Sequence, residues 1–558
     1  MAKSKSKPKP LPLSAWDSQV RLLLWLATCV SVFSFLFYYR NGQILLYGDA
    51  VAHINIARRV FDSKTPGLLQ LGTVWLPLPH LLMIPFLISM RMWQTGAGGS
   101  IPSMGAYVFG TIGMFRLVRG ISDRTGKPDL AADFSAWTAA LIFASNPNLI
   151  YMQSTAMGET LYIAFFIWAV VYLCESIPSD QKALTKSAVC VAAASLTRYD
   201  GWFLAAAMSV MVVTARIIAA QKSTKAGQRW CPAAGKFVLI AAAGPVLWLA
   251  YNAVVYRNPL EFENGPYSAK AIEQRTQSAR NPSHPGSGNA FVAGIYFVKS
   301  AEENIARNKW LERVWLILAA AGLGLAYRRR GEGLESHPRA SPGWPLLLLW
   351  IPLPFYSLSV AYGGVPMFVP AFWPFTHYNV RYGLQLLPAL SAGIGVVIYT
   401  LLRYRRWSTN LRLSAVLTIF ALLFVAYISI WSDPICLQEG EINMRGRNHL
   451  EAQLASLLKT LPPDTTLLMY LGDHVGALER AGIPLSHVIN EGNHRVWKQP
   501  SDPEGLWERA LANPSQYADD VLAFQGDPVW RAVHDKGLRE LIELHVSGQA
   551  PAILYRAR

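Results

Sequence analysis

A carboxylate and an imidazole lie four residues apart in the segment YGDAVAHINIARRV, at Asp49 and His53. The residues from Asp49 to Val60 are predicted to form a helix, so these two side chains share one helix face. A carboxylate beside an imidazole can act as a general base. A helix in which Asp49 caps the N-terminus and His53 is a structural neighbour would show the same pair. The pair alone leaves both interpretations open.

Other ionisable residues stand close to the ends of apolar runs. They are Glu159 in MGETLY, Arg198 and Asp200 in LTRYDGW, and His377 and Arg381 in THYNVRYG. Charged groups near the hydrocarbon boundary are costly, and they are usually paired or line a polar cavity. We expect them to form one polar site that faces outward. Taken singly, each is equally explained by a structural ion pair or a topology anchor, and Arg198 could simply neutralise Asp200.

Aromatic residues crowd the same predicted side of the membrane, and Tyr378 is one of them. Most such residues belong to the aromatic belt of a membrane surface. A minority could instead stack on a sugar ring or pack against a lipid tail. Tyr378 is included among the candidate substrate contacts, although the sequence does not sort the one kind of aromatic residue from the other.

Membrane helices must position these residues. The chain has 558 residues, of which 52% are hydrophobic and only 15% are charged, and this is too much apolar surface for one soluble core. The run from Leu22 to Tyr39 is long enough to cross about 30 Å of hydrocarbon. This run is too long for a signal peptide, and no small-residue cleavage site follows it. It therefore predicts an uncleaved signal anchor behind a cytoplasmic basic tail, residues 1–19.

Similar apolar runs predict about eleven membrane spans. They lie near residues 20–39, 101–118, 131–151, 159–176, 186–198, 202–219, 237–256, 311–327, 344–362, 383–402 and 413–431. With the N-terminus in the cytoplasm, the basic groups of the connecting loops also fall on the cytoplasmic side. Membrane topology thus accounts for the net charge of +16, and nucleic-acid binding becomes unnecessary. The expected location is the bacterial inner membrane.

One apolar run, from Thr73 to Trp93, does not fit this scheme. It contains Pro77, Pro79 and His80, and a span here would reverse the side of every later loop. We therefore predict that it lies along, or dips into, the outer membrane interface. A large first outer loop, residues 40–100, then carries Asp49.

The residues after the last span, 432–558, are predicted to form a separate periplasmic α/β domain. Its expected strands are Thr466 to Leu471, Val521 to Phe524 and Ala552 to Tyr555, and its expected helices are Gly505 to Ala512 and Val529 to Leu544. The predicted fold class is an all-α polytopic membrane domain, residues 20–431, followed by this small extracytoplasmic domain.

Metal and cofactor chemistry is not required by any motif. The five cysteines show neither the spacing of a metal site nor that of a disulfide framework. Outward Asp and His side chains could bind a divalent cation, but no ligand spacing compels one. We therefore assign no metal ligands.

These motifs resemble those of the GT-C class of membrane glycosyltransferases, in particular bacterial relatives of protein O-mannosyltransferases and of the aminoarabinose lipid A transferase. The resemblance rests on Asp49 soon after the first span, VWLPLPHLL later in the same loop, MGETLY, LTRYDGW and RYGLQLLPAL, and it covers roughly residues 15–430. It departs from the family pattern at Ala50, where many relatives have a second acid. Leu-Pro-Leu-Pro-His also stands where Lys-Pro-Pro is often found.

The resemblance implies a specific reaction. Asp49 would be the base that activates an acceptor for attack on the anomeric carbon of a sugar linked to polyprenyl phosphate. Basic residues would hold the leaving phosphate, with Arg381 as the first choice and Arg198, His80 and His377 behind it. The acceptor would be a protein, a lipid or a glycan, and the sugar stays open.

Two alternatives remain on the sequence alone. A transporter or lipid flippase also has many spans and buried charge, but such proteins favour paired topology repeats. An oligosaccharide ligase or an oligosaccharyltransferase is the other, and the WWDYG motif of the latter is absent from the sequence. The clustering of candidate charges toward one side favours the glycosyltransferase.

Overall fold

The protein is described by a computed structural model that covers residues 18–122, 129–177, 180–221, 225–276, 283–328, 343–472, 474–494 and 503–558. The predicted basic tail, residues 1–19, falls almost wholly outside the described residues. The α-helices are α1 Ser18–Arg40, α2 Gly48–Arg59, α3 Leu78–Leu87, α4 Met90–Gln94, α5 Ala97–Ser122, α6 Leu130–Ala144, α7 Pro147–Gln153, α8 Glu159–Ser176, α9 Gln181–Ser195, α10 Asp200–Gln221, α11 Lys225–Val255, α12 Glu261–Asn264, α13 Ala269–Thr276, α14 Ala290–Glu303, α15 Lys309–Arg328, α16 Pro352–Tyr362, α17 Leu387–Arg403, α18 Thr409–Trp431, α19 Ile435–Leu458, α20 Val475–Ala481, α21 Leu506–Ala512, α22 Pro514–Tyr517 and α23 Pro528–Val533. Helices of the 3-10 type include Leu68–Leu71, Trp344–Trp350 and Val380–Leu386.

The predicted membrane spans coincide with helices. Eight helical segments of the described chain are long and apolar enough to cross a membrane. The predicted spans near residues 131–151, 186–198 and 202–219 correspond to the successive helices α6 and α7, to α9 and to α10. The chain is therefore a multi-pass membrane protein with an all-α membrane domain, as the sequence predicted.

The first loop is built from short helices rather than a further span. α3 has ten residues and an internal Pro85, so it extends only about 15 Å. Arg58 of α2 donates hydrogen bonds to the carbonyl oxygens of Leu87 and Ile88 at 2.6 and 2.9 Å. Its Nε also bonds Asp62 at 2.7 Å. Arg58 thereby donates to carbonyl oxygens that have no partner within α3, and these hydrogen bonds hold α2 against α3.

The membrane helices approach one another closely where glycines face each other. α15 crosses α17 at Gly322 and Gly393. A Cβ at Gly322 would lie 2.0 Å from the carbonyl oxygen of Gly393, whereas a Cβ at Gly324 meets nothing within 4 Å. The backbones can therefore pack in direct contact only because both crossing residues lack side chains.

The C-terminal domain contains a five-stranded sheet. Its strands are β1 Leu467–Met469, β2 Val488–Ile489, β3 Asp520–Phe524, β4 Arg539–Leu544 and β5 Ala552–Arg556, in the order β2-β1-β3-β5-β4. β2, β1 and β3 are parallel, whereas β5 pairs with β3 and β4 in antiparallel fashion. The α/β prediction is confirmed.

One predicted helix of this domain is wrong. Residues from Val529 to Leu544 were expected to be helical throughout, but α23 ends at Val533 and β4 begins at Arg539. Gly537 has a left-handed backbone with φ of 66°, which glycine adopts without strain. β4 is an edge strand with mostly exposed side chains, so its pairing with β5 rather than an apolar alternation defines it.

The C-terminal domain docks on the first loop through polar contacts. Asn55 of α2 donates to Glu479 of α20 at 3.0 Å, and Gln70 donates to the carbonyl oxygen of Gly492 at 2.9 Å. Asp62 accepts the backbone amide of Ser486 at 2.9 Å. Glu479 is only 1% exposed. The two parts therefore form a continuous unit around α2.

Replacing Gly322 with alanine should destabilise the protein by about 1–3 kcal/mol because the new methyl group would overlap the α17 backbone. Gly324→Ala, two residues along the same helix, should leave stability unchanged because its methyl group enters open space. Thermal unfolding of the full-length protein in detergent compares the two variants. Equal unfolding midpoints would contradict the close packing of α15 on α17.

Glu479 should make the protein less stable as the pH rises. Burial raises the pKa of Glu479 to about 8, and the nearby Glu451 carboxylate acts in the same direction. Between pH 4.5 and about 8 the folded protein keeps a proton that the unfolded chain has lost, so unfolding becomes easier with rising pH. Glu479→Gln should flatten this decline in the thermal midpoint, whereas the exposed Glu540→Gln should not. Parallel pH profiles for wild type and Glu479→Gln would show that Glu479 is not the titrating group.

Candidate active site

Arg381 lies at the centre of the polar site that the sequence predicted. It is the second residue of the 3-10 helix Val380–Leu386, and Asn379, which precedes this helix, has a left-handed φ of 57°. Its guanidinium donates to Asp49 at 2.7 Å and to Glu159 at 3.1 Å. A further nitrogen of the same guanidinium donates to Glu439. Only 4% of Arg381 is exposed, so this cation is neutralised almost entirely by protein carboxylates.

Glu439 is the carboxylate that sequence reasoning missed. It lies on α19, immediately after the last membrane span, and is completely buried. Besides the Arg381 side chain, it accepts the backbone amides of Asn379 at 2.8 Å and of Arg381 at 3.2 Å. The predicted division at residue 432 assigns Glu439 to the C-terminal domain, although its contacts are with the membrane domain. Glu439 thus fixes both the side chain and the backbone of Arg381.

A second arginine extends the network. Arg198 donates to Glu159 at 3.0 Å, to the hydroxyl oxygen of Tyr356 at 3.0 Å and to Asp200 at 3.4 Å. Tyr356 in turn donates to Asp200 at 2.9 Å. Glu159 is therefore shared by Arg198 and Arg381, and it links α8 to both of them. Tyr356 was not predicted as a site residue because it lies inside an apolar span.

Aromatic rings cover the two guanidinium groups. Arg381 lies over the rings of Tyr47 and Tyr382 at 5.0 and 5.1 Å from their centroids, and Arg198 lies over Tyr382 at 4.9 Å. Tyr47 is held in place by a hydrogen bond from its hydroxyl group to the carbonyl oxygen of Cys436 at 2.6 Å. Cation–π contacts of this kind stabilise a desolvated cation. They also fix the planes of both guanidinium groups.

Asp49 is the carboxylate of this network that reaches solvent. Its side chain is 41% exposed, compared with 1% for Glu159 and 0% for Glu439. Tyr47 occupies the N-cap position of α2 and no side chain caps that end, so Asp49 is not a capping residue. One carboxylate oxygen bonds Arg381, and an incoming acceptor can approach the exposed side. Asp49 is therefore the acid of this network whose carboxylate a molecule from solvent can reach.

His53 and His80 form a pair beside Asp49. Nδ1 of His53 and Nε2 of His80 are 2.9 Å apart, and the ring of His53 also packs edge-on against Trp75 at 5.2 Å. Burial lowers the pKa of His53, although the charges of Asp49 and Glu159 act in the opposite direction. A neutral pair in which one ring donates and the other accepts follows from this geometry.

The side chains of His377 and Tyr378 have different neighbours although the two residues are adjacent in sequence. Tyr378 stands close to Asp49 and Arg381, and burial raises its pKa to about 12, with the Asp49 charge as a further cause. It exchanges backbone hydrogen bonds with Phe368. His377 points instead toward Gln438 and Asp433, at the junction of α18 and α19. Of the predicted contacts, Tyr378 joins the site and His377 does not reach its centre.

Carboxylates outnumber guanidinium groups in this network. Asp49, Glu159, Asp200 and Glu439 surround only Arg198 and Arg381. The described part of the chain holds no group of three or more His, Cys, Asp or Glu side chains arranged to bind a metal ion.

Solved structures share this arrangement, in which a polytopic helical domain precedes a domain with a small sheet. Two structures of ArnT from Cupriavidus metallidurans share this fold. The one bound to undecaprenyl phosphate aligns with a TM-score of 0.53 and 12% identity over 98% of this chain and 99% of that chain. The apo structure aligns with a TM-score of 0.54 and 13% identity over 97% and 98%. No family model and no curated protein matches the sequence.

Glu439→Gln should destabilise the protein by about 3 kcal/mol because Arg381 would keep its buried charge with one carboxylate fewer. Glu441→Gln, on the same helix but exposed, should leave stability unchanged. Denaturant or thermal unfolding in detergent measures both variants. If Glu439→Gln unfolds at the wild-type midpoint, Arg381 does not depend on Glu439 for its neutralisation.

Proposed function

We propose that the protein is an inverting glycosyltransferase that moves a sugar from a polyprenyl phosphate to a protein, lipid or glycan acceptor. The observation that carries this proposal is the exposed carboxylate of Asp49, held on Arg381 within the GT-C fold. The solved ArnT structure with this fold binds undecaprenyl phosphate, which supports a lipid-linked donor here as well.

The reaction would be a direct displacement at the anomeric carbon. The acceptor hydroxyl or amino group gives its proton to Asp49 and forms the new bond to that carbon. The bond between the carbon and the phosphate oxygen breaks, and polyprenyl phosphate leaves with the electron pair. Attack from the side opposite the phosphate inverts the configuration. Arg381 donates a hydrogen bond to one oxygen of the Asp49 carboxylate at 2.7 Å and thereby orients the base.

We place this site on the periplasmic face of the bacterial inner membrane. The network lies at the N-terminal end of α8, which begins with Glu159. It also lies at the N-terminal end of α17, which follows the 3-10 helix that contains Arg381. Basic residues lie at the opposite ends, where Arg116 pairs with Glu175 and Arg403 pairs with Asp129. Positive charge near the ends of spans favours the cytoplasmic side, which supports a site on the other face.

Asp49→Asn should lower kcat by about 10²–10⁴ because the base is lost, while donor affinity should change little. Asp433→Asn is a matched control, since Asp433 is an exposed acid whose ion pair is with Arg307 and not with Arg198 or Arg381. Sugar transfer from a panel of polyprenyl phosphate donors by the purified protein is the measurement.

Full activity of Asp49→Asn would refute the assignment of the base and would favour a ligase mechanism. Absence of transfer with every donor and acceptor would refute the glycosyltransferase. Lipid flipping or solute flux in vesicles without transfer would establish the transporter instead.

A further inference from the structure

Two buried side chains hold the peptide group that precedes Arg381. Its carbonyl oxygen, which belongs to Val380, accepts hydrogen bonds from Oγ of Ser300 at 2.7 Å and from Nδ2 of Asn304 at 2.8 Å. Ser300 lies on α14, and Asn304 directly follows that helix. A peptide group is planar, so holding its carbonyl oxygen also fixes the direction of the Arg381 N–H. That N–H donates to Glu439 at 3.2 Å, so α14 and α19 hold the two edges of one peptide group.

The 3-10 helix that contains Arg381 packs on α14 backbone to backbone. A Cβ at Gly383 would lie 2.5 Å from the backbone nitrogen of Ala301 and 2.5 Å from the carbonyl oxygen of Ser300. A side chain at this position would force one of the two helices to move. Close packing thus sets the distance between the helices, and the hydrogen bonds to Val380 set their position along each other.

Asn304 also contacts the first turn of α19. Its Oδ1 accepts the thiol hydrogen of Cys436, with 3.4 Å between Oδ1 and Sγ. Its backbone carbonyl oxygen accepts a hydrogen bond from Nδ2 of Asn148 at 3.2 Å, and Oδ1 of Asn148 accepts the backbone N–H of Cys436 at 2.9 Å. All three residues are buried. Asn304 is thus connected to Cys436 both directly and through Asn148.

Hydrogen bonding fixes the orientation of the Asn304 amide. Nδ2 faces the carbonyl oxygens of Ser300 and Val380, each at 2.8 Å, and a carbonyl oxygen only accepts hydrogen bonds. A rotation of the amide by 180° would place Oδ1 against these two oxygens. An apolar side chain at this position could contact neither the Val380 oxygen nor the Cys436 thiol through a hydrogen bond.

α19 provides groups that surround the Arg381 guanidinium. Cys436 and Glu439 are three residues apart, so they lie on the same side of this helix. Glu439 bonds the guanidinium directly. The carbonyl oxygen of Cys436 accepts the hydroxyl group of Tyr47, whose ring centroid is 5.0 Å from the guanidinium carbon. Asn304 therefore joins the peptide group before Arg381 to the helix that holds the Arg381 side chain.

We propose that Asn304 is a positioning residue for the transfer reaction. It sets the position of Arg381 relative to α19, and thereby the direction in which the guanidinium donates to Asp49 over 2.7 Å. This inference rests on the proposed function, in which Asp49 is the base. Displacement of a catalytic group by about 1 Å can lower a rate by about 10²-fold. A small shift of the 3-10 helix against α19 is therefore enough to impair the reaction while the site stays assembled.

Unfolding of the full-length protein by denaturant in detergent tests the positioning without any substrate. Asn304→Ala and Glu439→Gln are measured singly and together. Because both act on the position of Arg381, the double variant should lose less free energy of unfolding than the two single losses combined. Asn490→Ala is the matched control, since Asn490 is also completely buried and its side chain bonds backbone groups two residues away in the C-terminal domain. Its loss should add to that of Glu439→Gln, whereas additive losses for Asn304→Ala would overturn the proposal.

Sugar transfer by the purified proteins measures the effect on the reaction. Asn304→Ala should lower kcat by roughly ten- to a hundred-fold and keep the donor KM within about threefold, because only the direction of Arg381 changes. Asn304→Asp keeps the shape of the side chain, but an ionised carboxylate cannot donate to the Val380 oxygen. Its kcat relative to wild type should therefore recover as the pH falls and the carboxyl group gains a proton that it can donate. Asn490→Ala should transfer sugar at the wild-type rate.

A wild-type kcat in Asn304→Ala, or a higher donor KM with unchanged kcat, would show that Asn304 is not a positioning residue. So would a pH profile of Asn304→Asp that runs parallel to that of wild type. If Asn304→Ala does not fold, Asn304→Asp takes its place in the unfolding comparison. No transfer by wild type would refute the proposed function, and the unfolding comparison would then decide alone whether Asn304 sets the position of Arg381.

Discussion

The buried guanidinium of Arg381 is the constraint on which the site depends. A desolvated cation is stable only when carboxylates and aromatic faces surround it. Here the carboxylates come from the first loop, from α8 and from α19, at Asp49, Glu159 and Glu439. These segments are far apart in the chain, and each must reach one small volume. The neutralisation of one side chain therefore requires that the membrane domain, the first loop and the start of the C-terminal tail pack together.

Because of this coupling, the C-terminal domain packs against the membrane domain and the first loop. α19 follows the last span and places Glu439 in contact with Arg381. The carbonyl oxygen of Cys436, on the same helix, accepts the hydroxyl group of Tyr47 and holds the Tyr47 ring against the Arg381 guanidinium. Further along, α20 packs on α2 through Asn55 and Glu479. The helix that carries the candidate base is therefore held from the membrane side and from the sheet domain at once. Rigid support of this kind limits how far a catalytic carboxylate can move from its productive position.

Local patterns in the sequence predicted the spans, the helix from Asp49 to Val60 and three strands, because apolar length and periodicity determine them. They also predicted that Glu159, Arg198 and Arg381 converge, since charges near span ends need partners. Glu439 escaped notice because only the tertiary return of α19 gives it a role. The edge strand β4 has no apolar alternation and is defined by its partner β5. Local composition does not predict contacts between residues that are this far apart in the sequence.

Two adjacent arginines on α2 show how helix geometry separates the surroundings of neighbouring residues. Successive residues of a helix point about 100° apart, so Arg58 and Arg59 face different surroundings. Arg58 turns toward α3, where the carbonyl oxygens of Leu87 and Ile88 and the Asp62 carboxylate satisfy it. Arg59 bonds none of these acceptors, and its Nε is buried without a hydrogen-bond partner among the described residues. The rotation of one residue to the next along α2 therefore decides that Arg58 holds the first loop together and Arg59 does not.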